Sequence, residues 1–126
     1  MEQLIIENTL KSPRIDFNPN TGLLEISGVS LIENTLDFYK PILAWLKKYI
    51  EQPSTTTTVI FKLKYSNTSS LQFIYDIISL VNQEQNKKTK LSVVWYYASD
   101  DMDMKEVGED YNDSFDFDFI FKEVEI

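Results

Sequence analysis

Alternating apolar and polar positions near the start of the chain predict a β-hairpin. The alternation runs from Arg14 to Phe17 and again from Leu23 to Ser27, with the period of strands that bury one face. Between these two stretches, Asn18 to Gly22 consists mostly of residues that favour turns. The pattern therefore predicts an N-terminal pair of antiparallel strands, and Glu2 to Glu7 is a candidate for a further edge strand.

After Gly28 the period of the apolar positions changes to that of a helix. Ser30 and Glu33 have the S-x-x-E spacing of a capping box, which places the start of the helix at Ser30. From Leu36 to Ile50 the apolar residues form two neighbouring stripes, as in a mostly buried helix. Pro41 lies inside this stretch and lacks an amide hydrogen, so we expect the helix to kink or restart there.

The remaining chain alternates strand and helix patterns. The pattern predicts an inner strand from Val59 to Tyr65 and a second amphipathic helix from Leu71 to Gln85. The dense apolar run from Leu91 to Tyr97 is typical of a central strand buried on both faces. The alternating phenylalanines from Phe115 to Phe121 have the period of a terminal strand buried on one face.

The predicted order of elements is β-hairpin, α, β, α, β, β. Strands joined through helices favour right-handed crossovers, so we expect a small α/β sandwich with a mixed β-sheet and helices packed on it. The 126 residues suit one domain of ordinary size, and no internal repeat or linker divides the chain. We therefore expect a single domain over residues 1–126.

The composition removes several kinds of chemistry. The chain contains no Cys and no His, which excludes disulfides, thiolate nucleophiles, imidazole bases and zinc fingers. Its three glycines are too widely spaced for a phosphate-binding Walker loop or a dinucleotide fingerprint. No catalytic set of residues emerges from the sequence, so we expect neither enzymatic activity nor a cofactor.

The net charge of −8 is concentrated in one segment. Asp100 to Asp118 contains nine acidic residues and one basic residue, whereas the rest of the chain contains eleven of each. This charge disfavours nucleic acid and anionic membrane surfaces and favours a basic protein partner; a solvated acidic loop is the simpler alternative. The N-terminus lacks the features of a signal peptide and no apolar run is long enough to span a membrane, so we expect a cytoplasmic protein.

Asp101 and Asp103 raise the alternative of a divalent-metal site, since carboxylates two residues apart can ligate a hard cation. The segment fails the EF-hand pattern, because Lys105 occupies the third ligand position and no glycine follows it. The sequence therefore supports metal binding only weakly.

The polar turn from Tyr65 to Ser70 is the most informative stretch for function. Ser69 and Gln72 have the spacing of an S-x-x-Q capping box, which predicts Ser69 as the N-cap and leaves Thr68 just outside the helix. A free hydroxyl at this position lies beside the amides of a helix N-terminus, where a phosphate is well tolerated. Thr68 is therefore a candidate phosphoacceptor or ligand contact, although a simple capping turn remains an alternative.

Several blocks of the sequence together resemble the SiaC family of bacterial regulatory phosphoproteins. The resemblance covers the chain from about Ser12 to the C-terminus. It departs from the family pattern at Ile32, where proline is usual, and at Ser66, where an aromatic residue is usual. The matching blocks are Ser12 to Pro19 with Gly22, Leu24 to Gly28, Ile32 to Asn34 with Phe38, Tyr39 and Pro41, Trp45 with Leu46, Tyr65 to Ser70, Val94 to Tyr97, and Gly108 to Tyr111.

This resemblance implies a STAS-like domain that works by partner switching. In the family, a dedicated Ser/Thr protein kinase phosphorylates the domain and a PP2C-type phosphatase reverses the modification. The unphosphorylated form of the best-known member binds and stimulates a diguanylate cyclase. The family acceptor is the threonine of the Asn-Thr-Ser-Ser motif, which corresponds to Thr68 here.

From these observations we expect a protein-binding switch controlled by phosphate on Thr68, with an output protein such as a diguanylate cyclase as partner. Asn67, Ser69 and Ser70 are candidates for orienting the turn or for contacting the kinase and the partner. Three acidic residues are candidates for selecting a basic partner surface: Asp100, Asp101 and Asp103. A constitutive scaffold domain is the main alternative. Ser69 and Ser70 are alternative acceptor residues, and the phosphorylated form is the alternative to the unphosphorylated one as the active state.

Overall fold

The computed structural model describes residues 1–125, which form a six-stranded mixed sheet and three helices. This architecture confirms the α/β sandwich predicted from the sequence. The elements are β1 (Leu4–Ile6), β2 (Arg14–Asn18), β3 (Leu23–Ser30), α1 (Thr35–Tyr49), β4 (Thr56–Ser66), α2 (Thr68–Asn82), β5 (Lys90–Ala98), α3 (Met102–Asn112) and β6 (Ile120–Val124).

The strands lie side by side in the order in which they occur along the chain. The strands from β1 to β3 are antiparallel, and those from β3 to β6 are parallel and joined by the three helices. Right-handed crossovers that always advance in the same direction place every helix on the same face of the sheet. The predicted hairpin (β2 and β3) and edge strand (β1) are both confirmed.

A single hydrophobic core fills the space between the helices and this face of the sheet. Alternate residues of β2 to β5 point into it, while their neighbours lie on the open face. The predicted burial of β5 on both faces is wrong, because Val94 and Tyr96 lie on the open face and are only partly buried. The fully buried side chains with the largest volumes are Trp95, Tyr39, Tyr49, Phe17 and Phe61.

Helix α1 is anchored at both ends by a buried tyrosine hydroxyl. At its N-terminal end, the hydroxyl of Tyr39 lies 2.8 Å from that of Ser30 at the end of β3. At its C-terminal end, the hydroxyl of Tyr49 lies 2.8 Å from that of Thr57, which in turn contacts Thr89 at 2.7 Å. These bonds satisfy hydroxyl groups that would otherwise be costly to bury.

The start of α1 differs from the prediction. Asn34 is the N-cap and accepts a hydrogen bond from the amide of Asp37, so the helix begins at Thr35. Ser30 is the last residue of β3 and is fully buried, because its hydroxyl is used inside the core rather than as a cap. The helix also continues through Pro41, so the predicted restart at this residue is wrong.

The acidic segment also differs from the prediction, since most of it folds as helix α3 instead of a loop. The terminal strand β6 starts only at Ile120. The rings of Phe115 and Phe119 lie 6.1 Å apart and both contact Phe117. Residues four apart on a strand would be about 13 Å from each other, so these phenylalanines form a compact cluster ahead of the strand.

Candidate functional site

Asn67 organises the turn between β4 and α2. Its side-chain oxygen accepts a hydrogen bond from the amide of Ser70 at 2.9 Å, which makes Asn67 the N-cap of the helix. Its side-chain amide donates to the carbonyl of Ile32 at 3.0 Å, and its backbone amide donates to the carbonyl of Ser30 at 2.9 Å. Asn67 therefore joins the start of α2 to the loop that precedes α1.

The prediction that Ser69 caps the helix, with Thr68 outside it, is wrong. Thr68 is the first helical residue, and the Ser69 hydroxyl donates to the side-chain oxygen of Asn67 at 3.3 Å. The local sequence allows either cap. The contacts of Asn67 with the distant Ile32 and Ser30 favour the observed one.

The three hydroxyl side chains at the start of α2 lie in different environments. Thr68 and Ser69 are exposed, whereas Ser70 is fully buried. Within residues 1–125, no side-chain hydrogen bond involves Thr68, while Ser69 and Ser70 are both engaged. A kinase acting on the folded protein therefore has access to Thr68 and Ser69 but not to Ser70.

Ser70 belongs to a buried chain of hydroxyl groups beneath the turn. Ser30 donates to Ser70 at 2.7 Å, which leaves the Ser30 oxygen free to accept from Tyr39. Burial raises the pKa of Tyr39, and its hydrogen bonds with Ser30 and Ser70 offset part of that rise. Tyr39 thus stays protonated at neutral pH, and β3, α1 and α2 are tied together below the exposed Thr68.

Among the acidic candidates, Asp101 has a structural role. Its carboxylate accepts a hydrogen bond from the amide of Met104 at 3.0 Å and caps α3. Asp100 and Asp103 are exposed on either side of this cap. In the part of the chain that the structure describes, no three acidic side chains form a group that could hold a metal ion.

Helix α3 contacts both the sheet and α2. The indole nitrogen of Trp95 donates to the carbonyl of Met104 at 3.0 Å, and Gly108 lies directly against the Trp95 ring. The hydroxyl of Tyr111 donates to the carbonyl of Leu71 at 2.8 Å. Burial, followed by the nearby Asp76 and Tyr75, raises the pKa of Tyr111, so this bond between α3 and α2 also persists at neutral pH.

The two groups of predicted site residues share one edge of the sheet. Helix α2 follows β4 and helix α3 follows β5, and these strands are parallel neighbours. The carboxyl ends of parallel strands lie at the same edge. This edge therefore carries Asn67, Thr68 and Ser69 at the start of α2 and Asp100, Asp101 and Asp103 at the start of α3. Ser30 and Tyr39 also support the site, and they could not be identified from the sequence because nothing in the local pattern links them to Ser70.

No helix of residues 1–125 combines the length and the apolar character needed to cross a lipid bilayer.

Comparisons with known proteins agree with the fold and with the family resemblance. The chain is 24% identical over 119 residues to an uncharacterized protein of Pseudomonas aeruginosa strain UCBPP-PA14, with 94% of each chain covered. Its fold matches SiaC of P. aeruginosa with a TM-score of 0.87 and 24% identity, over 98% of this chain and 100% of that one.

A crystal structure of apo-SiaC from P. aeruginosa matches with a TM-score of 0.85 and 25% identity, over 97% of this chain and 99% of that one. A chain in a crystal structure of the diguanylate cyclase SiaD in complex with its activator SiaC, also from P. aeruginosa, matches with a TM-score of 0.87 and 24% identity, over 96% of this chain and 99% of that one. The model of the SiaC family regulatory phosphoproteins matches residues 6–124. The protein therefore belongs to the SiaC family of regulatory phosphoproteins.

Proposed function

We propose that the protein is a protein-binding switch set by reversible phosphorylation of Thr68. In this proposal the unphosphorylated form binds and stimulates an output protein, a Ser/Thr protein kinase adds the phosphate and a PP2C-type phosphatase removes it. The protein acts in the cytoplasm as one non-catalytic domain. A diguanylate cyclase is the proposed output partner, since one of the solved chains that this fold matches comes from the complex of the diguanylate cyclase SiaD with its activator SiaC.

The observation that carries this proposal is the different status of the neighbouring hydroxyl groups. Thr68 is exposed, and its hydroxyl makes no hydrogen bond within residues 1–125, whereas Ser69 donates to the cap and Ser70 is buried. A kinase needs a hydroxyl that can enter its active site and give up its proton. The exposed hydroxyl of Thr68 suits this requirement better than the engaged hydroxyl of Ser69 or the buried one of Ser70.

A phosphate on Thr68 would be tolerated by the folded domain. It adds a charge of about −1.5 to −2 at neutral pH, and the first turn of a helix favours negative charge because its amides point outward. The first turn of α2 contains no acidic residue, so the phosphate meets no repulsion from its own turn.

The same phosphate would oppose docking of a partner on this edge. Burying a charged group in an interface without a matching cation is expensive, and the neighbouring start of α3 contributes the exposed carboxylates of Asp100 and Asp103. A partner surface that is complementary to these carboxylates and to the uncharged Thr68 binds the unmodified form. To bind the phosphorylated form, the same surface would also have to desolvate the phosphate. The proposed switch therefore works by blocking the interface and leaves the domain folded.

The test compares the wild type with Thr68→Ala and Ser69→Ala, each incubated with the cognate kinase and ATP. Peptide-resolved mass spectrometry measures the modification, and the activity of a diguanylate cyclase from the same genome measures the output. We expect phosphate on Thr68 of the wild type and of Ser69→Ala, with loss of cyclase stimulation in both. Thr68→Ala should stimulate the cyclase with or without kinase.

Two results would contradict the proposal in distinct ways. If Thr68→Ala loses stimulation on treatment with kinase and ATP as the wild type does, the switch lies at another residue. If the unmodified protein neither binds nor stimulates the cyclase although Thr68 is phosphorylated, the acceptor is right and the output partner is a different protein.

A further inference from the structure

A pocket opens at the carboxyl ends of β4, β5 and β6, on the open face of the sheet and around its edge. Its volume is about 290 Å³. Its floor and walls are largely apolar and aromatic, although two lysines and one carboxylate stand at its rim. The residues that line it are Lys62, Lys64, Tyr96, Tyr97, Ala98 and Val124, together with the side chain of Asp101 and part of Leu63.

Four lysines lie in or beside this pocket, with Asp101 as the one acidic residue that lines it, in a chain whose overall charge is −8. The ammonium groups of Lys62 and Lys122 lie 5.0 and 5.9 Å from the centre of the Tyr96 ring. The ammonium group of Lys105 lies 5.7 Å from the ring of Tyr97. These distances are typical of cation–π contacts, which hold the lysines beside the aromatic walls.

The acidic groups nearby neutralise only part of this charge. Glu25 forms an ion pair with Lys62 at 3.0 Å and raises the pKa of that lysine. The carboxylate of Asp101 accepts the capping bond of α3. Lys64 and Lys122 are exposed and form no ion pair with another side chain of residues 1–125. Lys64, which lines the pocket, and Lys122, which lies beside the ring of Tyr96, therefore offer two ammonium groups to a ligand.

We propose that this pocket docks an acidic segment of a partner protein that inserts one apolar side chain between Tyr96 and Ala98. The volume lies just below the range of about 300–1,000 Å³ that small-molecule sites occupy, so it suits a single side chain and its flanking backbone. Acidic residues on either side of that anchor would pair with Lys64 and Lys122. The pocket shares Asp101 with the start of α3 and does not include Thr68. Its lysines prefer a charge opposite to that preferred by the exposed carboxylates of Asp100 and Asp103.

Charge complementarity favours this occupant over a second copy of the same chain. Two copies meeting through this pocket about a two-fold axis would bring their lysines together, because a two-fold interface presents the same patch from both sides. The acidic helix α3 of a second copy could reach the lysines only in a head-to-tail arrangement, which tends to form open chains or rings. A separate acidic partner avoids both difficulties.

The test is a selection from a random 12-residue peptide library displayed on phage. The wild type is compared with a rim variant, Lys64→Glu plus Lys122→Glu, and with a matched control, Lys47→Glu plus Lys48→Glu on the exposed side of α1. Both double variants change the net charge equally. A further variant, Ala98→Leu, fills the pocket without changing the charge, and circular dichroism verifies that each variant folds.

We expect the wild type and the α1 control to enrich peptides with a Phe, Leu or Ile flanked by Asp or Glu. This enrichment of acidic peptides would occur although the protein itself has a net negative charge. Synthetic copies of these peptides should bind the rim variant at least about tenfold more weakly, and Ala98→Leu should weaken them although its charge is unchanged. If the rim variant fails to fold, the same comparison is made with Lys64→Gln plus Lys122→Gln.

Three outcomes would overturn the proposal. The first is a selected pool without acidic enrichment, or no enrichment at all. The second is equal binding of the selected peptides to wild type, rim variant and Ala98→Leu. The third is self-association of the wild type in sedimentation velocity that disappears in the rim variant, which would identify a second copy as the occupant.

Discussion

At the scale of single residues, Asn67 caps α2 and also makes a contact that a cap alone would not need. Its oxygen closes the first turn of α2, while its amide group holds the carbonyl of Ile32 in the loop before α1. Thr68, the proposed phosphoacceptor, comes directly after it. The position of Thr68 therefore depends on the side chain of Asn67, which is bound both to α2 and to the loop before α1.

The two contacts can be separated by substitution. Asn67→Ala removes both and should lower the free energy of unfolding by about 1–2 kcal/mol, the usual range for loss of an N-cap. Asn67→Asp keeps an oxygen for the amide of Ser70 but loses the donor to Ile32, so we expect a clearly smaller loss. Urea denaturation measures both variants.

A loss in Asn67→Asp as large as that in Asn67→Ala would contradict this division. It would show that the bond to Ile32, rather than the cap, accounts for the stabilisation. Asn20→Ala is a suitable control, because this side chain is exposed and lies in the turn between β2 and β3.

At the scale of elements, α3 packs against β5 with almost no space between the helix backbone and the ring of Trp95. A Cβ atom added at Gly108 would lie 2.7 Å from two atoms of the Trp95 ring. The ring itself is fixed by the bond from its nitrogen to the carbonyl of Met104. Helix α3 thus packs on the sheet through a position where only glycine fits.

Gly108→Ala should therefore destabilise the protein by about 1–3 kcal/mol, as is usual for overpacking. Helix propensity alone predicts the opposite sign, since alanine is better than glycine in a helix by about 1 kcal/mol. The signal of the Trp95 indole proton in an NMR spectrum should shift as the ring or the helix moves. Glu109→Ala is the control, because Glu109 is exposed on the same helix.

Unchanged or increased stability of Gly108→Ala, with an unshifted Trp95 signal, would mean that α3 adapts without cost. That result would contradict the close packing inferred here.

The sequence predicted the elements whose apolar residues follow a clear local pattern, and it missed the helix in which that pattern is obscured. Alternation in β2, β3 and β4 and the stripes in α1 and α2 identified these elements correctly. Helix α3 was missed although its core-facing residues have helical spacing, because acidic residues surround them and one position is a glycine. These residues are Met104, Val107, Gly108 and Tyr111.

The candidate site was likewise predicted only in part. Thr68 and its neighbours could be selected from the turn and from the family motif, yet the cap was assigned to Ser69 instead of Asn67. Two overlapping capping patterns are compatible with this turn, and the contacts of Asn67 with Ile32 and Ser30 distinguish them only once β3 and β4 are paired. The buried hydroxyls of Ser30 and Tyr39 were missed for the same reason.

At the scale of the whole molecule, the sequential strand order places the starts of all three helices at one edge. Each start is capped by an Asn or Asp side chain: Asn34, Asn67 and Asp101. The core below this edge contains no unsatisfied buried side-chain polar atom within residues 1–125. A modification at the exposed edge therefore acts on a surface supported by a complete core.

This arrangement predicts that phosphorylation of Thr68 leaves the global stability unchanged or slightly higher. A negative charge at a helix N-terminus typically adds about 0.3–1 kcal/mol, and the phosphate breaks no hydrogen bond of Thr68 within the described chain. Urea denaturation of the phosphorylated and unmodified proteins measures the difference, with phosphatase-treated protein as the control. Hydrogen exchange of α2 should be equal or slower in the phosphorylated form.

A lower urea midpoint together with faster exchange in α2 would contradict this prediction. The phosphate would then act by loosening the helix and its link through Asn67 to the loop before α1, and loss of partner binding would follow from local unfolding. Equal midpoints combined with loss of partner binding would instead place the whole effect of the modification in the interface, because the bonds of Asn67, Ser70 and Tyr39 would be the same in both states.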